Sequence, residues 1–545
     1  ALSQNTSMWQ YQLTVSNPAA AAYTETFVAS YTVQSYRQDL STGTQAPVAW
    51  KVVGYQESTD GGATFGPETT SKPAWLATLS MESGTGGTAP KAGTATLTKD
   101  ITDRLAPYNK VLRDATPKGS AGNPYNLSNA NGAANIENTA NSYLISAPGY
   151  YRIPLVYGNA ITGSATNEHS YKTTNTGSRI LTNFKDHAGV NINSPYINMQ
   201  NASDPATQAA IVWSDQSGLV DGLSVTGSGA NSYVNFHVPA DKIRNGNAVI
   251  AVKNASGTVM WSWHLWFDHS DVLNTVDCTN YTGYHYKFTK QTLGFAYRKW
   301  EGTAYDKPRV ARVKVEQTIA NGGTKRYAYI NITQNPGSVK EISSTYYQFG
   351  RKDALPGTDA IAQGSYSFDN TSGGRSLGYA IQHPENMFIQ AGTFNSDWCN
   401  ATYDNLWSAD NTVESFNDNL VVKTVYDPCP AGFHMPASNA FTGFTTTGQG
   451  TGLRTLLNVS GDWHIGWNFN NKITSPDATV YFPASGFRRY DEGSLISVGD
   501  VSYYWSAVPY STGYGCNLYF GQWNVYPQYT GARSVGFPVR PVADN

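Results

Sequence analysis

Between Val501 and Gly531 the chain contains no Asp, Glu, Lys or Arg. Tyr503, Tyr504, Tyr510, Tyr514, Tyr519, Tyr526 and Tyr529 stand there instead, with Trp505, Trp523 and many Asn, Ser, Thr, Gln and Gly. A strand buried on both faces would be rich in Val, Ile and Leu. This stretch is rich in amphipathic rings and small polar groups, the composition of a binding surface. Stiff rings supply contact area at low entropy cost, and short polar side chains adapt. A β-rich core with part-buried tyrosines accounts better for Trp505, Leu518, Phe520, Val525 and Val539. The two readings combine if apolar residues hold a scaffold and the residues between them form a surface.

The rest of the composition agrees with a β-rich protein. With Tyr 36, Trp 14 and Gly 51 and only 14% charged residues, the chain suits sheets and turns better than helix bundles. A length of 545 residues exceeds one core, so two to four domains are expected. A net charge of −2 argues against a broad nucleic-acid-binding patch. No apolar run reaches the ~18 residues of a membrane span. The sequence begins at Ala1 without a basic n-region or apolar h-region, so any signal peptide or lipid anchor is expected before residue 1. Cys278, Cys399, Cys429 and Cys516 have no CxxC spacing, which argues against zinc. One disulfide, Cys399–Cys429, is possible in an exported protein; four reduced, mostly buried thiols are the alternative.

Along the chain, residues 1–115 read as an immunoglobulin-like β-sandwich spacer. Its strand signals are Trp9–Val15, Thr24–Tyr36, Ala46–Gln56 and Gly93–Ile101, with Trp75 as a buried tryptophan. Lys118–Asn138 is rich in Gly, Asn, Ala and Ser and reads as a linker or long loop. Residues 116–340 form a β-rich body, with strand signals that include Ala209–Asp215, Tyr233–Pro239, Asn247–Phe267, Arg309–Ile319 and Arg326–Gln334. Asn254–Gly257 (NASG) marks a hairpin. Trp261, Trp263 and Leu265 alternate with Ser262 and His264, so one face of that strand is aromatic; the expectation is core packing rather than sugar stacking. His264, Asp268, His269 and Asp271 are expected to be surface polar residues, because no third ligand element is visible. Residues 341–545 are loop-rich with short strands, an α+β pattern, and Ser438 is a plausible N-cap for a short helix over Asn439–Gly443.

The segments YDPCPAGFHMPASNAFTGF, FPASGFRR, YYWSA, LYF, VYP and GFPVRPV resemble the C-terminal domain of Bacteroidales fimbrillin-like, "major paralogous domain" surface proteins. That domain is related to the C-type-lectin fold of formylglycine-generating enzymes. The block at Asn141–Ile161 and VMWSWHLWF resemble the body of the same proteins, and the first block their immunoglobulin-like modules. The tail also resembles variable regions diversified by retroelements. The resemblance implies a mainly β, multi-domain chain with sandwich modules before an α+β, C-type-lectin-like domain at 341–545. It further implies a fixed frame of Tyr504, Trp505, Ser506, Leu518, Phe520, Val525, Pro527, Gly536, Phe537, Val539, Arg540 and Pro541. The candidate ligand-contacting residues are Tyr510, Ser511, Tyr514, Cys516, Asn517, Tyr519, Gln522, Trp523, Asn524, Gln528, Tyr529 and Thr530.

These residues carry no recognisable chemistry of catalysis. Formylglycine-generating enzymes use a cysteine pair near the C-terminus, whereas here Cys516 stands alone in GYGCNLYF, without a nearby His or cation to activate it. GxSxG, HExxH, P-loop and dinucleotide motifs are absent. Asp491 and Glu492 read as solvated loop carboxylates. His383-Pro384-Glu385-Asn386 inverts the Glu-Pro-Asn order of calcium-dependent lectins and reads as a polar turn. No cofactor or metal is expected. The expected function is non-covalent recognition of a protein or glycan on another cell surface by an exported adhesin of the outer membrane or a pilus tip. The alternative is a structural pilus subunit whose surfaces contact other subunits.

Overall fold

The computed structural model describes residues 8–389 and 396–545. The chain is mainly β and forms two compact units, each built from two segments: residues 8–106 with 299–340, and residues 107–298 with 341–545.

The first unit is sandwich-like. In one sheet, Trp9–Ser16 pairs antiparallel with Tyr31–Asp39, which also pairs with Gln45–Pro47 and Gly87–Gly93. The other runs Thr324–Gln334, Arg309–Asn321, Trp50–Ser58, Ser83–Gly84. Period-2 alternation builds both. Tyr31, Val33 and Ser35 are buried on one strand, and Val313, Val315 and Gln317 on another. With Trp50, Trp75, Leu76, Ile330 and Ile332, these apolar residues make the core. Trp75 is buried as expected, and its indole N–H donates to Glu57 Oε1 at 2.7 Å.

The two strands expected in the middle body, Arg309–Ile319 and Arg326–Gln334, belong to this first unit. Val313 lies opposite Tyr55 and Arg312 opposite Gln56. Their alternation is that of a one-face-buried antiparallel ribbon, but a period cannot say which sheet a ribbon joins. Assigning it to the neighbours in sequence is the default that fails here.

The second unit is organised on a five-stranded mixed sheet. Its order is Ser142–Ile145, Val259–Phe267, Gly246–Lys253, Gln208–Ser214, Gln363–Gly364. The first pair is parallel and the rest antiparallel. The NASG turn forms as expected: Gly257 takes φ +86°, and Asn254 N–H donates to the Thr258 carbonyl. Trp261, Trp263 and Leu265 are core, and Ser262 and His264 on the opposite face are buried too. One apolar cluster joins Leu112, Trp261 and Phe295 to Trp407, Trp505 and Val539. Residues 107–298 and 341–545 therefore share a core, where the sequence reading separates a body from a head.

Lys118–Asn138 is not a linker. Asn126, fully buried, donates through Nδ2 to the carbonyls of Ala133 and Asn135 at 3.0 and 3.2 Å and accepts from the Ser128 amide at 3.1 Å. Asparagine side chains satisfy this loop's backbone in place of strands, so a low apolar content does not make it disordered. The short helix near residue 440 is 3-10, spans Ser438–Phe444 and is preceded by Ala437 at the cap. Ser438 instead accepts the Asn417 amide at 2.8 Å. Cys399 and Cys429 form no disulfide: all four cysteines are buried thiols. Cys399 and Cys429 pack as small apolar residues in the shared core, and burial pushes the Cys399 thiol up to about 12.

Candidate binding face

The uncharged tail folds into a three-stranded antiparallel sheet of Val501–Tyr510, Tyr514–Gly521 and Val525–Ala532. Its first hairpin turns through Ser511 (φ +49°) and Gly513 (φ +83°). Its second closes with the Gly521 amide donating to the Asn524 carbonyl at 2.9 Å. Tyrosine and tryptophan suit such strands, and the Gly and Ser residues suit the left-handed turns.

Register separates the two faces. Tyr504 lies opposite Leu518, and Tyr503 opposite Tyr519, which in turn faces Tyr526. On the inner face Tyr504, Leu518, Phe520 and Val525 are buried against Phe444, Phe469 and Phe482. Tyr504 Oη donates to the Pro483 carbonyl at 2.8 Å, so even this buried hydroxyl is satisfied. Arg540 closes the same core from the side. Its guanidinium donates to the Thr289 carbonyl at 2.8 Å and to that of Tyr481, and lies 4.0 Å from the Phe482 ring centroid. Every residue of the frame implied by the resemblance is buried.

The outer face is closed at one end and open at the other. Phe537 stacks on Tyr503, with ring centroids 4.5 Å apart and planes within 4°, and packs on Trp505 at 4.4 Å. Trp505 Nε1 donates to the Tyr347 carbonyl at 2.7 Å. Beyond this lid, Tyr503, Tyr519, Tyr526 and Tyr529 form a cluster of rings. Centroids are 4.7 Å apart for Tyr503–Tyr519, 5.8 Å for Tyr519–Tyr526, 5.4 Å for Tyr519–Tyr529 and 5.9 Å for Tyr526–Tyr529. A bulge between Asn517 and Tyr519 brings Tyr526 and Tyr529, three residues apart, onto the same face. Gly450 makes room for Tyr526; a Cβ there would lie 2.3 Å from the ring. Gln528 Nε2 donates to Asn439 Oδ1 at 2.7 Å and pins the third strand to the 3-10 helix. Burial and the neighbouring rings raise the Tyr503 hydroxyl above its usual range, so that hydroxyl stays neutral across ordinary pH.

The candidate residues named from sequence divide into four groups. Tyr519 and Tyr529 sit in the ring cluster, Tyr529 being 42% exposed. The hairpin residues lie at opposite ends of the strands. Tyr510 and Ser511 are exposed at one end, with Tyr514 half-buried opposite Tyr510; Gln522, Trp523 and Asn524 turn the other, where Trp523 is 67% exposed. Gln528 and Thr530 are half-buried. Cys516 and Asn517 are buried and are not surface residues. The Cys516 thiol contacts the Pro509 carbonyl, and burial pushes it up to about 12. Tyr503 and Tyr526 are the members the sequence reading missed, although pairing Tyr503 with Tyr519 across the first hairpin would have found one of them.

No family model, curated protein or solved structure matches the chain.

Elsewhere, the polar groups flagged in the sequence are structural. His264 is buried, its Nε2 2.8 Å from Asn247 Oδ1, and burial lowers it to about 3. Asp268 is buried as well and accepts from the Tyr108 hydroxyl and the His269 amide, and burial raises it to about 7. The expectation that these two are surface residues is corrected: the end of the tryptophan strand points inward, where His264 and Asp268 Oδ1 find partners. His269 stacks on Tyr108 at 3.7 Å. Asp491 pairs with Arg489 at 2.7 Å, and His383 Nδ1 sits 2.9 Å from Glu385 Oε1. Among the described residues, no group of three or more His, Cys, Asp or Glu is arranged to hold a metal, and no helix is long and apolar enough to cross a membrane.

Proposed function

We propose that the chain is an exported, cell-surface or pilus-associated adhesin, and that it binds a protein or glycan non-covalently through the open tyrosine face of the tail sheet. The observation that carries this reading is the ring cluster of Tyr503, Tyr519, Tyr526 and Tyr529, held by paired strands and left partly open. Rings placed by rigid strands present an apolar body with a hydroxyl tip, suited to stacking on a sugar face or filling a pocket on a protein. The absence of charge in residues 501–531 means that little must be desolvated when a ligand covers it. The C-type-lectin-like fold and the diversified character of the tail remain part of this reading. They are supported by the motif resemblance and by the match of the implied frame to buried positions. A nucleophilic role for Cys516 gains no support, because its thiol is buried and held protonated.

The test is a screen of the full chain against a glycan array and a panel of bacterial and host surface proteins. It is run beside a folded Tyr526→Ser/Tyr529→Ser variant. A ligand held by the first and lost by the second supports the reading. A ligand held equally by both moves the site off this face. The absence of any ligand, with incorporation into fibres intact, would favour a structural pilus subunit.

A further inference from the structure

The third tail strand, Val525–Ala532, is the edge of its sheet. One side pairs with Tyr514–Gly521, and beyond the sheet Val525 exchanges both backbone bonds with Thr451, at 2.9 and 3.0 Å. Among the described residues, the next bond that ties this strand to anything outside its sheet comes from a side chain. Gln528 Nε2 donates to Asn439 Oδ1 at 2.7 Å. Gln528 stands between Tyr526 and Tyr529, the two rings at the open half of the tyrosine face. What fixes Asn439 therefore bears on where those rings are held.

Asn439 is committed at every polar atom. Its amide N–H donates to the Asn417 carbonyl at 3.0 Å, and its carbonyl accepts from Thr442 Oγ1 at 2.9 Å and Asn280 Nδ2 at 3.1 Å. Its Nδ2 donates to Asp418 Oδ2 at 3.1 Å, which leaves Oδ1 for Gln528. A carboxylate only accepts, so Asp418 decides which end of the Asn439 amide faces the tail. Asp418 is itself held by further donors. Its Oδ1 accepts from Asn280 Nδ2 at 2.8 Å and Tyr286 Oη at 2.6 Å, and its Oδ2 accepts from Thr282 Oγ1 at 3.2 Å. Those three donors come from the hairpin of Thr275–Thr279 and His285–Thr289. A chain of directed bonds thus runs from that hairpin through Asp418 and Asn439 to Gln528.

We propose that Asp418, which lies outside the tail, is a positioning residue for the open half of the tyrosine face: by orienting Asn439 it holds Gln528, and with it the edge strand that carries Tyr526 and Tyr529. As a statement about binding, this rests on the reading of that face as the ligand site. Rings recognise a partner best when they are held in place before it arrives, because ordering them on binding costs affinity. An edge strand has only one neighbour in its sheet to do this, and the Asp418–Asn439–Gln528 chain supplies a tie from outside the sheet.

The experiment follows amide hydrogen exchange of the full chain without any ligand, so it can fail while the binding reading stands, and the reverse. Asn439→Asp sets two carboxylates against each other. Exchange at residues 526–529 should then speed up about threefold or more, within what one hydrogen bond commands, while the strand of Tyr504 keeps its protection. Adding Asp418→Asn to Asn439→Asp reverses donor and acceptor between the two positions. It leaves an oxygen at 439 for Gln528 and one at 418 for Asn280 and Tyr286, so exchange should return to that of the unaltered chain. A role in packing alone would not be rescued by this exchange of side chains. Gln528→Leu cuts the last link, should speed exchange at 526–529 as Asn439→Asp does, and decides the matter if Asn439→Asp fails to fold. Unchanged exchange at 526–529 in Gln528→Leu, no recovery in the double variant, or equal acceleration at Tyr504 would overturn the proposal.

Discussion

Two sheets in this molecule are unusually aromatic, and their fates differ. The strand Val259–Phe267 carries Trp261, Trp263, Trp266 and Phe267, and every one is buried. The tail sheet carries more rings across its three strands but buries one face and opens half of the other. The difference lies in what covers the second face. Around the tryptophan strand, one face packs against Tyr157 and Tyr426, and the other holds His264 and Asp268 in hydrogen bonds. Over the tail sheet Phe537, Phe487 and Phe349 lie across the outer face at Tyr503 and Trp505. Aromatic content alone therefore does not mark a binding surface; an uncovered sheet face does.

Replacing the buried partner should produce the largest effect. Trp261→Ala removes a fully buried ring and the bond from Nε1 to Asn141 Oδ1, and should cost about 3–5 kcal/mol in denaturant unfolding. A loss below about 1 kcal/mol would mean that the central sheet is not the packed core described. The next largest is a pH effect at the end of the same strand. Burial raises the Asp268 carboxyl to about 7, so the folded state binds a proton there that the unfolded chain releases near its ordinary value of about 4. Stability contributed by this group is present below about pH 4 and is lost as pH rises through about 7. Across that window the decline should be on the order of 2–4 kcal/mol. Asp268→Asn should flatten that decline in melts from pH 4 to 8, and an unchanged slope would refute the assignment.

The open face should behave in the opposite way. Tyr529→Ser removes a ring that is 42% exposed, so it should cost under about 1 kcal/mol of stability, yet weaken ligand binding tenfold or more, as hot-spot aromatics do. A stability loss as large as that of Trp261→Ala would place Tyr529 in the core. The smallest expected effect is that of salt. With no charged residue in the tail strands, affinity should change less than about threefold between 0.05 and 0.5 M NaCl, because screening acts only on charges. A steep loss would show that ions outside the tail dominate.

Much of this was legible in the sequence. The alternation in Asn247–Phe267, the NASG turn and the apolar frame of the tail all describe local rules of period and turn, which residues state directly. What was not legible depended on pairing across long separations. Arg309–Gln334 joins Trp50–Ser58 through register that no local pattern encodes. Lys118–Asn138 is held by Asn126 and Asn129 side chains, whose bonds look like loop composition until the partners are placed. Cys516 falls on the inner face with Leu518 and Phe520, and Asn517 shares the outer face with Tyr519 but lies opposite Trp505 at the end that Phe537 covers; composition shows neither the face nor the cover. His264 and Asp268 were misplaced for a related reason. Polar residues are ordinarily outside, but a sheet covered on both faces draws them in when partners are waiting.

The measurement that bears most directly on the account is residue-resolved chemical labelling of tyrosine, with and without the ligand that the screen identifies. The account predicts that Tyr526 and Tyr529 are modified readily in the free chain and protected in the complex, while Tyr504, on the inner face of the same sheet, stays unmodified in both. Full reactivity of Tyr526 and Tyr529 in the saturated complex, or modification of Tyr504 in the folded chain, would contradict it.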